Sequence, residues 1–164
     1  MVDTAEFIIA RSFAAPRQRV WAAWTEPERL IEWLGPKGVP GTIHSGDVRV
    51  GGLLHWHMGA SGGHGMWGRA LYREIVSPAR LVYVQSFSDA EGRIARAPFF
   101  EGRWPLEMLT EVTLEEQGEG TLLTLRWSPI DAEADEVANF IANIPSMNDG
   151  WGGSFNQLAA FLAD

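Results

Sequence analysis

An apolar stripe in the last part of the chain limits the possible folds more than any other feature. Between residues 131 and 164, apolar side chains recur every three or four positions, which is the spacing of one helix face. Such a face must be buried against another element. We therefore predict one long amphipathic helix over Asp131–Asp164. The stripe consists of Val137, Phe140, Ile141, Ile144, Met147, Trp151, Phe155, Leu158 and Leu162.

Two features of this predicted helix work against its stability. Pro145 removes a backbone hydrogen bond and crowds the preceding turn, so we expect a kink there. Gly150, Gly152 and Gly153 each weaken a helix by about 1 kcal/mol relative to alanine. We expect either another backbone or a ligand to approach these glycines.

The residues before the helix predict a sheet preceded by short helices. Phe7–Phe13 is a first strand; one short helix starts near Pro16, and a second has capping-box spacing between Thr25 and Glu28. Short apolar segments separated by turn residues then favour an antiparallel sheet of about six to seven strands and an α+β fold. These further strands are predicted at Thr42–Val48, Leu53–Met58, Trp67–Val76, Leu81–Phe87, Leu106–Leu114 and Thr121–Trp127.

Composition excludes several classes of function. The net charge of −8 and the scattered basic residues argue against a nucleic-acid partner. The chain has no cysteine, and no apolar run is long enough to insert into a membrane. Its first residues lack a signal-peptide pattern, which predicts a cytoplasmic protein. The glycines of Gly59–Gly65 do not have phosphate-loop spacing, and we expect no cofactor.

Several sequence segments resemble one superfamily in the same order along the chain. The chain is similar to the START-like helix-grip superfamily, also called SRPBCC, and within it to the branch named after the activator of heat-shock protein 90 ATPase homologue. The resemblance lies in Ala14–Trp24, Pro27–Leu30, Asp47–Gly52, Tyr72–Val82 and Gly150–Ala159.

The resemblance implies a single domain over residues 1–164, with a curved antiparallel sheet wrapped around the C-terminal helix. It also implies a cavity, which in related proteins holds lipids, sterols, polyketides or other apolar molecules. The superfamily includes carriers, cyclases, hydrolases, receptors and chaperone cofactors, so the fold does not select a function. The co-chaperone that names the branch has an additional N-terminal domain, for which we expect no room here, and this argues against direct stimulation of a chaperone partner.

Strand alternation and the helical stripe supply candidate ligand-binding residues. In Leu53–Met58, Trp56 and Met58 share the apolar face that should point inward, and Tyr72 shares a parity with the small residues Gly68 and Ala70. For all of these candidates, plain core packing is the alternative. The set is Trp56, Met58, Tyr72, Met108, Met147, Trp151 and Phe155.

The segment Ile94–Pro105 lacks a clear period and is predicted to be a long loop. It carries Phe99, Phe100 and Trp104, and aromatic residues in a long loop suggest a lid over an opening.

Candidates for chemistry are few. Parity turns Glu74 inward, where a raised pKa would suit a general acid or base acting with Tyr72, whereas Glu111 should face outward. A salt bridge from Glu74 to Arg69, Arg73 or Arg103 is the alternative. His55 and His57 share a strand face, with His44 and His64 possible neighbours, but solvent-exposed histidines are favoured over a metal site.

Three hypotheses follow. The first is a small intracellular protein that binds an apolar or amphipathic molecule such as a lipid, sterol or polyketide. The second is a cyclase- or hydrolase-like enzyme with a buried acid. The third is an interaction protein, associated with a chaperone or forming a homodimer.

Overall fold

The structure is a computed structural model that describes residues 5–59 and 65–163. In these residues one seven-stranded antiparallel sheet packs with four α-helices, which confirms the α+β helix-grip fold. The strands are β1 (Phe7–Phe13), β2 (Gly41–Gly46), β3 (Leu53–Met58), β4 (Met66–Val76), β5 (Arg80–Ser88), β6 (Glu107–Gln117) and β7 (Gly120–Ile130). The helices are α1 (Arg17–Thr25), α2 (Pro27–Trp33), α3 (Ala134–Ala142) and α4 (Ile144–Leu162), and Phe100–Gly102 forms a short 3₁₀ turn.

The strand order explains how the two ends of the chain meet. It runs β1-β7-β6-β5-β4-β3-β2, and every neighbouring pair is antiparallel. Strands β2 to β7 are thus neighbours in sequence, while β1 joins β7 at the far edge, with Phe7 opposite Trp127. The sheet is curved, and its concave face receives the long C-terminal helix.

The predicted continuous closing helix is wrong in one respect, because the structure divides it into α3 and α4 at Asn143. Pro145 does not kink a helix interior; it lies in the first turn of α4, where its missing N–H has no partner to lose. Helix α3 has its own start signal, a capping box between Glu133 and Glu136.

The capping box predicted at Thr25 and Glu28 is also wrong. The N-cap of α2 is Glu26, since Pro27 takes the first helical position. The Thr25 hydroxyl instead donates a hydrogen bond of 2.8 Å back to the carbonyl oxygen of Trp21 in the preceding helix. Thr25 therefore makes a local side-chain hydrogen bond within α1 and does not mark the start of α2.

Helix α4 supplies the centre of the core. Phe155 and Leu158 are fully buried, as are Leu123 and Leu125 of β7. The Phe155 ring meets Phe13 of β1 edge-to-face, with ring centroids 5.8 Å apart. Burial of these side chains fixes the height of the helix above the sheet.

The loop after α2 is tied to the same helix. The Gln157 side-chain amide donates to the carbonyl oxygen of Gly35 at 2.5 Å, and the Ser154 hydroxyl accepts from the Gly35 N–H at 3.2 Å. Nowhere in residues 5–59 and 65–163 is a helix long and apolar enough to cross a membrane.

We expect Phe155→Ala to lower the free energy of unfolding by about 3–5 kcal/mol, because it leaves a large cavity at a fully buried site. Ile141 of α3 is 51% exposed, so Ile141→Ala should change the free energy of unfolding by less than about 0.5 kcal/mol. Urea denaturation of both variants checks this, and equal losses would contradict the central place given to Phe155.

Candidate ligand pocket

A pocket of about 710 Å³ lies between α4, the first two helices and the inner face of the sheet. The sheet contributes side chains from β3 to β7 to its wall, and α4 contributes the opposite side. Most of the lining side chains are apolar, and many are aromatic. The aromatic members are Trp24, Trp56, Trp67, Tyr72, Tyr83, Phe87, Phe99, Phe100, Trp104, Trp127 and Trp151.

On β3 and β4 the predicted alternation places the candidate residues at the pocket. Trp56 and Met58 line it, and so does Tyr72 together with the small residues Gly68 and Ala70. The Trp56 ring lies directly over Gly68, where an added Cβ would come within 2.5 Å of the ring. Glycine at position 68 is therefore what permits this orientation of Trp56.

The candidates on the helix and on β6 separate into two groups. Met108, Met147 and Trp151 line the pocket. Phe155 does not, because one turn after Trp151 the helix is covered by β1 and the Phe155 ring is enclosed against Phe13. The assignment of Phe155 to the ligand-binding set is thus corrected, and Phe155 belongs to the core.

The glycines of α4 adjoin open space. A Cβ built on Gly150 or Gly153 would meet no atom within 4 Å, and both residues line the pocket. At Gly152 an added Cβ would lie 3.7 Å from Nη2 of Arg11, on another side of the helix. The expectation that another backbone approaches Gly150 or Gly153 is therefore wrong.

The predicted lid residues form an aromatic cluster in the pocket wall. Trp104 is buried against Phe140, and Phe99 and Phe100 pack on Trp104 with centroid distances of 5.5 and 5.9 Å. Phe99 and Phe100 remain 37% and 41% exposed. Phe100 and Glu101 both have positive φ, a backbone conformation that costs about 1–2 kcal/mol for each residue that is not glycine. A lid motion of this segment stays a prediction.

Tyr72 and Tyr83 are paired across β4 and β5, with ring centroids 5.8 Å apart. Burial raises the pKa of both hydroxyl groups above the ordinary tyrosine value, and for Tyr83 the nearby Tyr72 adds to the effect. Both hydroxyls are consequently protonated at neutral pH and can donate a hydrogen bond.

The inward position predicted for Glu74 is wrong. The register of β4 against β5 shifts between Tyr72 and Glu74, and this bulge places the Glu74 side chain outside with 46% exposure. Its partner is Arg80, which also reaches the outward-facing Glu111 at 3.5 Å. Glu74 therefore cannot be the buried acid of the catalytic alternative.

The arginines proposed as partners of Glu74 have other roles. Arg69 donates to the carbonyl oxygen of Gly92 at 2.9 Å, and Arg103 pairs with Asp135. Arg73 is exposed on the outer side of the bulge.

The histidine prediction needs one correction. His55 is buried, not solvated, and its Nε2 lies 3.1 Å from the carbonyl oxygen of Asp89. The rings of His44, His55 and His57 surround Trp67 at centroid distances of 4.5–5.0 Å. Among the described residues no group of three His, Asp or Glu side chains could hold a metal ion, and His64 lies outside them.

Several pocket residues were missed at the level of sequence. Gln85 shares the parity of Tyr83 and Phe87, a signal that strand alternation could have supplied. Trp24 stacks on Trp151 and Trp127 meets it edge-on, each with a ring-centroid distance of 6.1 Å. No sequence pattern pairs these three rings, because they come from α1, β7 and α4.

Residues 14–163 match the family model described as activator of Hsp90 ATPase homolog 1-like protein. The chain belongs to this family. Among curated proteins none matches it.

Solved structures of other members of the same fold cover nearly the whole chain. A protein of Arthrobacter aurescens is 27% identical, with a TM-score of 0.77, and the match covers 99% of this chain and 91% of that one. A Chromobacterium violaceum protein is 26% identical at a TM-score of 0.70, with 97% of both chains covered. A Mycobacterium smegmatis protein is 22% identical with a TM-score of 0.77, and the match covers 98% of this chain and 96% of that one. At this identity the likeness supports the fold alone.

We expect Glu74→Gln to change the free energy of unfolding by less than about 1 kcal/mol, since it removes an exposed ion pair. The matched change Glu136→Gln should cost about 1–3 kcal/mol, because the buried Glu136 carboxylate accepts from Arg96 and from the Glu133 N–H. Thermal and urea unfolding of the two variants measure the difference, and a larger loss at position 74 would contradict the outward placement.

The two tyrosines are the only ones in the chain and provide a pH test. Their folded pKa values are raised, whereas unfolded tyrosine ionises near pH 10, so the folded state binds more protons above that pH. Their contribution to stability is therefore complete below about pH 10 and decreases as the pH rises further. Phenolate absorbance should appear only together with unfolding, and ionisation near pH 10 in the folded protein would contradict the burial of the hydroxyls.

Proposed function

We propose that this protein binds an apolar or amphipathic small molecule in the pocket between α4 and the sheet. The observation that carries the proposal is the combination of a 710 Å³ pocket with glycines facing it from the helix. Sites for small organic ligands commonly have volumes of about 300–1,000 Å³ and mostly apolar walls. A lipid, sterol or polyketide-like molecule fits this description.

The glycines of α4 support a role beyond packing. Gly150 and Gly153 each reduce helix stability by about 1 kcal/mol relative to alanine, and no neighbouring atom demands their small size. A helix selected for stability alone would carry side chains there. Space retained for a ligand is a physical reason for keeping both positions empty.

The charge distribution supports an apolar occupant. Lys37 and Asp149 are the charged members of the pocket lining, and both are exposed. Most of the remaining wall offers a ligand aromatic rings, aliphatic groups and four methionines, Met58, Met66, Met108 and Met147. Methionine adapts to irregular apolar shapes at low cost. The body of the ligand would be held by apolar contact.

Catalysis by a buried acid has less support. The carboxylate proposed for it, Glu74, is on the outer face of the sheet, and the buried Glu136 is occupied by Arg96 and the start of α3. We therefore retain binding as the proposed activity. We also propose that residues 1–164 form a single domain.

Gly153→Leu should place a side chain in the pocket and reduce affinity for apolar ligands by at least tenfold. The matched control Gly152→Leu projects toward Arg11 and should leave affinity unchanged, with the same gain in helix propensity. Quenching of tryptophan fluorescence by a panel of lipids and aromatic compounds measures both, because Trp24, Trp56 and Trp151 line the pocket. Equal affinities for the two variants would place binding elsewhere.

Native mass spectrometry of the purified protein tests the proposal without a chosen ligand. We expect an added small-molecule mass on the wild-type chain, its loss in Gly153→Leu and its retention in Gly152→Leu. If neither a co-purifying compound nor any member of the panel binds, the proposed function is wrong.

A further inference from the structure

Three uncharged polar side chains lie together in the mostly apolar pocket wall. Tyr72, Tyr83 and Gln85 all line the pocket from adjacent strands. Tyr72 is opposite Tyr83 in the register of β4 and β5, and Gln85 follows on the same face two residues later, opposite Ala70. The small side chain of Ala70 leaves room beside the Gln85 amide.

The hydrogen-bonding capacity of Tyr72 and Gln85 is not used by the described residues. Tyr72 is only 2% exposed, yet its hydroxyl makes no hydrogen bond with a described residue, and neither does the Gln85 amide. The Tyr72 hydroxyl is also not among the unpaired polar atoms that are completely enclosed by protein. What remains accessible of it therefore faces the pocket. Buried polar groups without a partner are uncommon, and a ligand is one way to satisfy them.

The pocket provides no charge at this position. Its charged lining residues, Lys37 and Asp149, are exposed and come from other elements than β4 and β5. A carboxylate or ammonium group placed beside Tyr72 would lose its hydration without gaining an opposite charge, which is costly. A neutral group would not incur this cost.

We infer that Tyr72 and Gln85 form a subsite for an uncharged oxygen-bearing group, a carbonyl or hydroxyl, on a mostly apolar ligand. The inference rests on the proposed function and names the chemistry of the ligand at one point. A carbonyl oxygen accepts from the Tyr72 hydroxyl and from the Gln85 amide N–H, and a hydroxyl can additionally donate to the Gln85 carbonyl. Tyr72, considered above as a partner in catalysis, is assigned here to ligand binding.

Three related compounds test the subsite. Benzophenone, diphenylmethane and diphenylacetate share two phenyl rings and differ by a central carbonyl, methylene or carboxylate-bearing carbon. Titration calorimetry of the wild-type chain should show benzophenone binding at least about fivefold more tightly than diphenylmethane, the equivalent of one net hydrogen bond. Diphenylacetate should bind more weakly than either.

The variants identify the residues responsible. Tyr72→Phe should reduce benzophenone affinity by about fivefold and leave diphenylmethane affinity unchanged. Gln85→Met should act in the same direction, while Gln18→Met, at an exposed position of α1, should have no effect. Because each variant is compared on two ligands, a general disturbance of the pocket would lower both affinities and is thereby recognised.

Photochemistry then locates the carbonyl group. Irradiated benzophenone joins to nearby C–H bonds, and Met108 is the cross-strand neighbour of Gln85. Cross-links in peptides of β4, β5 and β6 support the subsite. Cross-links confined to Lys37 and the first turns of α4 overturn it, as do equal affinities for benzophenone and diphenylmethane. Absence of binding by all three compounds counts against the proposed function itself and removes the subsite with it.

Discussion

The packing of α4 on the concave face of the sheet is the interaction on which the rest of the structure depends. The two halves of α4 have different roles in this packing. Phe155, Leu158 and Leu162 are buried in the hydrophobic core, and they hold the helix in place. Trp151 and Met147, one and two turns before Phe155, border the pocket. The same stripe therefore anchors the helix at one end and holds it away from the sheet at the other.

Trp151 stands at the transition between these two regions. Its ring stacks on Trp24 of α1, meets Trp127 of β7 edge-on and touches Phe155. These contacts join the first helix, the last strand and the closing helix, so the inner limit of the pocket is built from aromatic side chains. Each of these rings buries a large apolar area, so a few aromatic side chains close this end of the pocket.

The polar side chains that β4 and β5 contribute to the pocket are uncharged. Tyr72 and Gln85 face inward, whereas the acid that strand parity placed beside them, Glu74, is turned outward by one bulge. A single additional residue in β4 thus separates a site with hydrogen-bonding groups from one with an ionisable acid. This local feature of the backbone favours ligand recognition over acid–base chemistry in the proposals made above.

Much of the fold followed from the sequence because it depends on periodicity. Alternation placed Trp56, Met58 and Tyr72 correctly, and the helical stripe predicted α4. Errors arose where a backbone detail interrupts the period. The break at Asn143 divided the predicted helix, the bulge after Tyr72 reversed Glu74, and Glu26 replaced Thr25 as a cap. Phe155 was assigned to the pocket because an apolar helical stripe does not reveal which of its residues are covered by β1.

The sequence by itself determined the α+β class, the amphipathic closing helix and, for most strands, which side chains point inward. Periods of two and 3.6 residues are local properties of the chain. Only the tertiary structure decided which members of those faces enclose empty space. That outcome depends on the height and tilt of α4 above the sheet, on the meeting of Trp24, Trp127 and Trp151, and on the register shift in β4. These are relations between distant residues, which no local pattern encodes.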